Sequence, residues 1–356
     1  MLRSFRIRNF RCLEDLEIPN LARVNLFVGD NDAGKTALLE GLFAHLSQAN
    51  PINLLTLKAF RGSSLVLGET LWQEFFTGFD DSREIISSSV DSDGNERTNK
   101  ITAAPTIQVT IALQALQTST GEVAARIAGK QISYRPLRAE YKGPGMESPV
   151  ENELMLDPNT VFAQKQNIPA DLQGYFFSTA GPPGAQTVAN HLSELLVRRQ
   201  DGDVLALAKA IDERINELSV ASPKGSAEVF VSLGEGPLVP LTLMGSGVLR
   251  AVGIGSSIPV HARGVILIDE VDSGIYYKRL ADMWGILQET AKTCDVQIFA
   301  STHSAECVSA AVQAVPPDLQ DADPLHVYRL VRGKRVPIPY DRDTLKPVAE
   351  FMAELR

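Results

Sequence analysis

Runs of apolar residues along the chain predict a core of buried parallel strands and helices. Three short, continuously apolar runs have the pattern of strands buried on both faces: Arg23–Val28, Gly264–Ile268 and Asp295–Ser301. Five apolar residues after the first run recur at helical spacing: Leu38, Leu39, Leu42, Phe43 and Leu46. The sequence therefore predicts an α/β fold in which a strand leads directly into a helix that begins near Thr36.

Other segments alternate between apolar and polar residues or follow a helical repeat. Leu2–Glu17 alternates as an edge hairpin does, and Ile107–Leu113 is the clearest of several short strands between residues 85 and 141. The aromatic-rich segment Leu71–Phe76 predicts a helix, and Gly143–Pro158 has the composition of a loop. One amphipathic helix is predicted from five residues that share a helical face: Val204, Ala208, Ile211, Ile215 and Leu218.

A phosphate-binding pattern lies between the first strand and the first helix. Gly29–Thr36 fits G-x-x-x-x-G-K-S/T, whose glycine-rich turn and helix N-terminus direct backbone N–H groups at phosphate oxygens. The predicted phosphate-binding residues are Gly29, Asn31, Ala33, Gly34, Lys35, Thr36 and Ala37. Lys35 is expected to neutralise the β- and γ-phosphates, and the Thr36 hydroxyl to ligate Mg²⁺. A chance glycine-rich loop is disfavoured because strand, motif and helix agree.

Acidic residues follow the second predicted strand, and a histidine follows the third. Asp269 and Glu270 end the run that begins at Gly264, at the edge where ligands bind in open parallel sheets. Asp269 is expected to hold Mg²⁺, and Glu270 to orient and deprotonate the attacking water. His303 is expected to contact the γ-phosphate or that water. For Asp269 and Glu270 the alternative is a surface turn, which the phosphate-binding pattern disfavours. For His303 it is a strand-end cap, which its position two elements after the acidic pair disfavours.

A second glycine-containing helix start follows at residues 245–250. Gly245, Ser246 and Gly247 precede a helical pattern that includes Arg250, so bare N–H groups and a hydroxyl are available to a phosphate. One nucleotide does not need two such cradles, which favours a role in the nucleotide site of a neighbouring subunit. A plain turn and helix cap explains these residues equally well.

Composition narrows the functional class only slightly. The net charge of −9 excludes a wholly basic surface that coats nucleic acid. Cys12, Cys294 and Cys307 have no paired spacing, which fits reduced thiols in a cytoplasmic protein. The N-terminus has no apolar signal core, and no run is long and apolar enough to span a bilayer, so no membrane partner is expected.

Taken in order, these motifs resemble an ABC-type ATPase head of the RecF/SMC/OLD-like group, often described as an AAA family ATPase. Gly29–Thr36 matches the Walker A motif of that group, and Asp269–Tyr276 is similar to its Walker B motif and D-loop. Ala300–Ser304 matches the H-loop, and Gly245–Gly247 with Arg250 looks like a degenerate signature motif. Residues 5–11 resemble the first strand of the group.

The resemblance implies a P-loop NTPase with an ABC-type head, a mixed sheet with flanking helices, and a β-rich and helical middle region. It implies one domain over residues 1–356, divided into a Walker A lobe (1–48), the middle region (49–227) and a signature, Walker B and H-loop lobe (228–356). ATP and Mg²⁺ are the implied cofactors, and Arg11 is expected to approach the phosphates. No Q-loop glutamine is evident; Gln108, Gln164 and Gln166 are candidates.

The implied activity is Mg²⁺-dependent hydrolysis of ATP to ADP and phosphate by a homodimer or higher homo-oligomer with ATP at the interface. Ser246 is expected to complete the nucleotide site of the neighbouring subunit. Many OLD relatives carry a C-terminal Toprim nuclease domain, and this chain ends about fifty residues after His303. The resemblance therefore implies an ATPase that controls a separate effector, with a nuclease as a candidate, in prokaryotic defence against phage or plasmids.

Three alternatives remain open from sequence. The first is a RecF-like DNA-maintenance ATPase, with nucleic acid as the partner. The second is a scaffold that binds nucleotide without turnover, which the intact Glu270 disfavours. The third is a GTPase, which is disfavoured because Asn99–Thr102 lacks the aspartate of the base-specifying N-K-x-D motif.

Overall fold

The structure is a computed structural model, and it describes residues 1–61, 70–110, 131–157, 160–164, 171–179, 184–223, 225–315 and 324–340. The helices in these ranges are α1 (Lys35–Leu46), α2 (Ile52–Phe60), α3 (Ala185–Arg198), α4 (Gly202–Ile211), α5 (Ser246–Val260), α6 (Leu280–Thr293) and α7 (Ala305–Gln313). The strands are β1 (Leu2–Phe10), β2 (Leu13–Ile18), β3 (Val24–Val28), β4 (Ile85–Asp91), β5 (Glu96–Ala103), β6 (Ile107–Thr110), β7 (Gln131–Tyr134), β8 (Leu137–Lys142), β9 (Val150–Asp157), β10 (Thr160–Gln164), β11 (Gly174–Phe177), β12 (Glu217–Ala221), β13 (Glu228–Ser232), β14 (Val239–Pro240), β15 (Val265–Ile268), β16 (Gln297–Ser301), β17 (Leu325–Arg329) and β18 (Ile338–Tyr340).

A mainly parallel sheet brings the predicted motifs to one edge. Its strand order is β11-β15-β16-β3-β17-β18, and every pairing is parallel except that of β17 with β18. All four residues of β15 and all five of β16 are buried, as expected of strands covered on both faces. Because parallel strands end on the same side, the residues that follow β3, β11, β15 and β16 lie along one edge.

A second, antiparallel sheet packs on the other side of α1. Its strand order is β10-β9-β8-β5-β4-β1-β2 in the described residues. Leu38, Leu39 and Leu42 of α1 share one buried cluster with residues of both sheets. Gly41 permits the close approach of α1 to β1, since a Cβ at this position would lie 2.7 Å from Ile7 Cδ1. The phosphate-binding helix is therefore fixed between two sheets.

A separate cluster joins α3, α4 and α5 to the small sheet β12-β13-β14. Strands β6 and β7 form a two-stranded sheet. A helix that is both long and apolar enough to cross a membrane is not found in the described part of the chain.

The three predicted buried strands are confirmed as β3, β15 and β16, and the N-terminal hairpin is confirmed as β1 and β2. Strand β6 contains the first four residues of the predicted strand Ile107–Leu113; residues 111–113 lie outside the described ranges. The division of the chain at residues 48 and 227 stays a prediction.

Three local predictions are wrong. The amphipathic helix ends at Ile211, where Asp212 turns to extended dihedral angles; Ile215 lies in a turn and Leu218 in β12. Both side chains nevertheless pack in the same buried cluster as Val204 and Ala208 of the helix. The apparent helical spacing therefore comes from separate elements that share one core. The aromatic segment Leu71–Phe76 contains the short 3₁₀ helix Gln73–Phe75 instead of an α-helix, and a second 3₁₀ helix, Thr77–Phe79, follows it. The predicted loop at residues 143–158 contains β9.

A buried histidine makes the stability of this fold depend on pH. The His45 side chain is 1% exposed, and its ring nitrogens lie 2.9 Å from Ser87 Oγ and 2.8 Å from Ser89 Oγ. Burial lowers the pKa of His45 to about 3, assisted by the charge of Arg97. Because the unfolded chain binds this proton first, this contribution to stability is present above the unfolded pKa of about 6.5 and is lost as the pH falls towards 3.

We expect His45→Gln to flatten the dependence of stability on pH. In the parent, His45 should contribute a loss of about 1.4 kcal/mol per pH unit well below pH 6.5. Urea unfolding of both proteins at pH 7.5, 6.0 and 5.0 measures the difference. Equal slopes in parent and variant would contradict the assignment, because all other titrating groups are common to both proteins.

Candidate functional site

The phosphate-binding loop has the backbone conformation that its glycines predict. Gly29 has a φ of +144°, and a Cβ there would lie 2.5 Å from the Leu330 carbonyl oxygen. Gly34, with a φ of +97°, immediately precedes α1. Among the described residues, the backbone N–H groups of Lys35, Thr36 and Ala37 donate to no protein acceptor. Free donors at a helix N-terminus suit a phosphate group.

Lys35 points along this loop towards the histidine that follows β16. Its Nζ donates to the carbonyl oxygens of Gly29 at 2.7 Å and Asp30 at 2.9 Å, and it lies 3.3 Å from Nδ1 of the exposed His303. Burial lowers the pKa of Lys35, opposed by the attraction of the Asp269 carboxylate. Lys35 and His303 therefore lie side by side at this edge of the sheet.

Asp269, 4% exposed at the end of β15, is held by three hydroxyl groups. Thr36 Oγ1 donates to the carboxylate from 3.1 Å to each oxygen. Ser301 Oγ donates to Oδ1 at 2.6 Å, and Thr179 Oγ1 donates to Oδ2 at 2.9 Å. The pairing of Thr36 with Asp269 brings together the two predicted Mg²⁺ ligands.

The donor set suits Mg²⁺ on a phosphate ligand. One hydroxyl and one carboxylate are few protein ligands, as is usual for Mg²⁺, which keeps waters and phosphate oxygens as its other ligands. The described residues contain no group of three or more His, Cys, Asp or Glu side chains that could hold a metal by itself. An ion at Thr36 and Asp269 would therefore depend on a bound phosphate.

Glu270 begins a tight turn next to Asp269. Its φ of +48° is unusual for a residue with a side chain, and its backbone N–H donates to Ser301 Oγ at 2.9 Å. The same turn holds Asp272, which accepts a 2.6 Å hydrogen bond from Thr302 Oγ1. Ser301, the last residue of β16, and Thr302, which follows it, thus fix the acidic turn after β15. Glu270 remains half-buried beside the phosphate-binding loop, where its charge acts on Lys35.

A buried carboxylate in α1 binds two arginines beside the loop. Arg11 Nε lies 2.6 Å from Glu40 Oε2, and Arg61 Nε donates to Glu40 Oε1 at 2.7 Å. Lys58 and Glu74 pair with one another nearby, so one positive charge is left over among these described side chains. Arg11 Nη2 is buried and has no hydrogen-bond partner in the described part of the chain. This excess charge and free donor suit an anion.

Comparisons with known proteins identify the family. Residues 24–309 match the family model described as "AAA domain, putative AbiEii toxin, Type IV TA system". This match spans both the phosphate-binding loop and the acidic turn. The chain belongs to this family. The prediction of an ABC-type ATPase fold of the RecF/SMC/OLD-like group is confirmed.

Individual relatives match more narrowly. The OLD nuclease of Thermus scotoductus is 39% identical over 61 residues, or 17% of this chain and 11% of that protein. An uncharacterized protein of Methanocaldococcus jannaschii is 35% identical over 54 residues, or 15% of this chain and 25% of that protein. The chain thus matches a quarter or less of the length of these relatives. The SMC head domain from Thermotoga maritima has a TM-score of 0.44 and 13% identity, covering 96% of this chain and 99% of that one.

The signature-like residues of this AAA-domain chain contact the acidic turn that follows β15. Ser246 begins α5 and contacts Gly274; a Cβ on Gly247 would lie 2.4 Å from the Gly274 carbonyl oxygen. In the described residues, no hydrogen bond joins Ser246 to residues 29–37. Arg250, from the next turn of α5, instead donates to the Asp269 carbonyl oxygen and lies over the Phe177 ring.

The remaining predicted site residues are located as follows. Ala33 is buried and its N–H donates to Asp30 O at 3.2 Å, whereas Asn31 is exposed. The candidate Q-loop glutamines are not near the site on the described strands: Gln108 lies in the two-stranded sheet and Gln164 at the outer edge of the antiparallel sheet. Gln166 lies outside the described residues.

Sequence reasoning missed Thr179, Ser301 as an Asp269 partner, and the Glu40–Arg61 pair. A signal for Thr179 was present, because Tyr175–Phe177 is a short apolar run that ends in small polar residues, as the strand before Ser301 does. The Glu40–Arg61 pair had no comparable signal, since a helical glutamate and a distant arginine carry no motif.

Proposed function

We propose that this chain binds ATP with Mg²⁺ and hydrolyses it to ADP and phosphate. The observation that carries the proposal is the convergence of Lys35, Thr36, Asp269, Glu270 and His303 at one sheet edge, from segments far apart in sequence. This set supplies a cation for the phosphates, a metal-binding pair and a carboxylate near the loop, which are the parts that phosphoryl transfer requires.

Each side chain has a role that its geometry supports. Lys35 exchanges its two loop carbonyl partners for phosphate oxygens, and Thr36 and Asp269 hold the ion. Mg²⁺, when bound, neutralises charge on the β- and γ-phosphates. Glu270 accepts a proton from the attacking water, and His303 donates to the γ-phosphate. Arg11, whose buried Nη2 has no hydrogen-bond partner among the described residues, is the proposed further cation for the phosphates.

Adenine is the proposed base. Asn99, the only asparagine of the incomplete N-K-x-D segment, is 2% exposed and donates to the Ala44 carbonyl oxygen at 2.8 Å. The neighbouring Lys100 pairs with Glu84. These side chains are therefore occupied in the antiparallel sheet and are unsuited to reading guanine.

We further propose that two copies enclose ATP between them. The support is an exposed apolar group beside Ser246 and Gly274: Leu243 is 75% exposed, Tyr276 58% and Tyr277 37%. Exposed apolar residues that flank a helix N-terminus suit contact with a second protein surface. In this arrangement, Ser246 contacts the nucleotide held by the Lys35 of the other copy, and hydrolysis separates the copies.

The proposed cellular role is control of a separate effector in prokaryotic defence against phage or plasmids. The support is the family description, which names a toxin of a toxin–antitoxin system, and the short match to an OLD nuclease. A nuclease is the effector that this likeness favours. The net charge of −9 and the ion pairs of Arg6 with Asp15 and of Arg335 with Glu17 give no support to the DNA-maintenance alternative.

We expect Lys35→Ala to weaken ATP binding by about tenfold to a hundredfold, because it removes charge-assisted hydrogen bonds worth about 1.5–3 kcal/mol. Phosphate release and binding of a fluorescent ATP analogue, measured side by side, test this. Lys142→Ala, at an exposed lysine of β8, is the matched control and should behave as the parent. A parent without ATP binding or phosphate release, or a Lys35→Ala protein equal to it, would overturn the proposed function.

A further inference from the structure

Three hydroxyl groups donate to the Asp269 carboxylate, and one of them, that of Thr179, belongs to neither the phosphate-binding loop nor the residues that fix the acidic turn. Thr36 belongs to the phosphate-binding loop, and Ser301 also accepts the N–H of Glu270. Thr179 lies two residues beyond the end of β11, and its Oγ1 donates to Asp269 Oδ2 at 2.9 Å. Its strand is the neighbour of β15 on the side opposite β16.

The two flanking strands therefore hold the Asp269 carboxylate from opposite sides. Ser301 of β16 contacts Oδ1 and Thr179 contacts Oδ2, while Thr36 faces both oxygens. An ionised carboxylate has about four lone-pair positions. With one position on each oxygen taken by a flanking hydroxyl, the remaining positions face Thr36, where the ion is expected.

The position of Thr179 also connects the carboxylate to the helices that carry the signature-like residues. The Phe177 ring, at the end of β11, supports the Arg250 guanidinium of α5 at 5.4 Å. A Cβ on Gly253 of α5 would lie 2.7 Å from Phe177 Cζ, so helix and strand are in close contact. A shift of the end of β11 would therefore move Asp269, through its hydrogen bond with Thr179, and would also move α5, through its contact with Phe177.

We propose that Thr179 is a positioning residue that orients Asp269 for Mg²⁺ and ties the metal site to the end of β11. This inference rests on the proposed function, because it assigns a residue to the same metal–nucleotide site. Partners of metal ligands typically contribute about 10–100-fold to metal affinity. Loss of the Thr179 hydroxyl should therefore weaken the Mg²⁺-dependent part of nucleotide binding and leave the part without metal unchanged.

The test measures the affinity for a fluorescent ATP analogue in Mg²⁺ and in EDTA and takes the ratio of the two. Thr179→Val keeps the shape and removes the hydroxyl, and we expect the ratio to fall by about 10–100-fold with the EDTA value unchanged. Thr179→Ser restores the hydroxyl and should keep the parent ratio. Thr187→Val, at a half-buried threonine of α3, is the matched control. Thr179→Ala replaces the valine variant if that protein does not fold.

The outcomes separate this inference from the proposed function. A parent that binds no nucleotide, or gains no affinity from Mg²⁺, overturns the proposed function and this inference with it. A parent ratio that persists in Thr179→Val overturns the role of Thr179 alone. A ratio that falls equally in Thr179→Ser and Thr179→Val shows that side-chain packing is responsible, which also overturns it. Loss confined to the variants without the hydroxyl supports it.

Discussion

Glu270→Gln is expected to lower the rate of ATP hydrolysis by about 10³-fold while preserving ATP affinity, because general-base catalysis typically contributes about 10²–10⁴-fold. Glutamine retains the shape of the side chain but cannot accept the proton of the attacking water. The positive φ of residue 270 and the hydrogen bond from its N–H to Ser301 Oγ involve only main-chain atoms of residue 270, so the substitution should leave the turn intact. Thr36, Asp269 and Lys35 stay in place to bind Mg²⁺ and phosphate.

The same variant should accumulate as a dimer in ATP and Mg²⁺, since the hydrolysis that separates the copies is blocked. Light scattering coupled to size-exclusion chromatography, run with ATP, with ADP and without nucleotide, measures this. Glu289→Gln, at an exposed glutamate of α6, should stay equal to the parent. A Glu270→Gln protein that binds ATP and stays monomeric would contradict the two-copy arrangement. A Glu270→Gln protein that hydrolyses ATP at the parent rate would show that Glu270 is not the general base.

The parts of the site that could be predicted are short motifs whose residues are adjacent in the sequence. Residues 29–36, the acidic pair after β15 and the small polar residues after β16 each follow an apolar run, and the parallel sheet brings such strand ends together. Sequence therefore indicated both the strands and the edge they share. It did not indicate that Lys35 and His303 lie side by side, which only the structure shows.

What escaped prediction depends on tertiary contacts between segments without a motif. Ile215 and Leu218 satisfy a helical repeat, yet they belong to a turn and a strand that pack into the core of α4. The helical spacing of these residues therefore reflects their burial and does not identify the secondary-structure element to which they belong. The role of Thr179 likewise depends on the pairing of β11 with β15, which brings its hydroxyl into hydrogen-bond contact with Asp269.

Glu40→Gln is expected to destabilise the nucleotide-free protein by about 3 kcal/mol, the lower end of the range for removing one partner of a buried ion pair. Glu40 and Arg11 are 2% and 10% exposed, so Arg11 loses its counter-charge with little access to water. Arg61 is 41% exposed and recovers hydration, which keeps the cost at that lower end. Urea unfolding measures the loss, and Glu194→Gln, which breaks only the surface pair with Arg198, should cost less than about 0.5 kcal/mol.

The sign of the nucleotide effect distinguishes an anion-binding cluster from a purely structural one. With Glu40 neutral, two guanidinium groups beside the phosphate-binding loop have lost their shared carboxylate, and phosphate becomes their strongest counter-charge. ATP should therefore bind Glu40→Gln more tightly than the parent, and it should raise the stability of the variant by more than that of the parent. The double variant Glu40→Gln/Arg61→Met restores the charge balance and should return both quantities towards the parent values. If ATP stabilises Glu40→Gln and the parent equally, Arg11 has only a structural role and does not contact the phosphates.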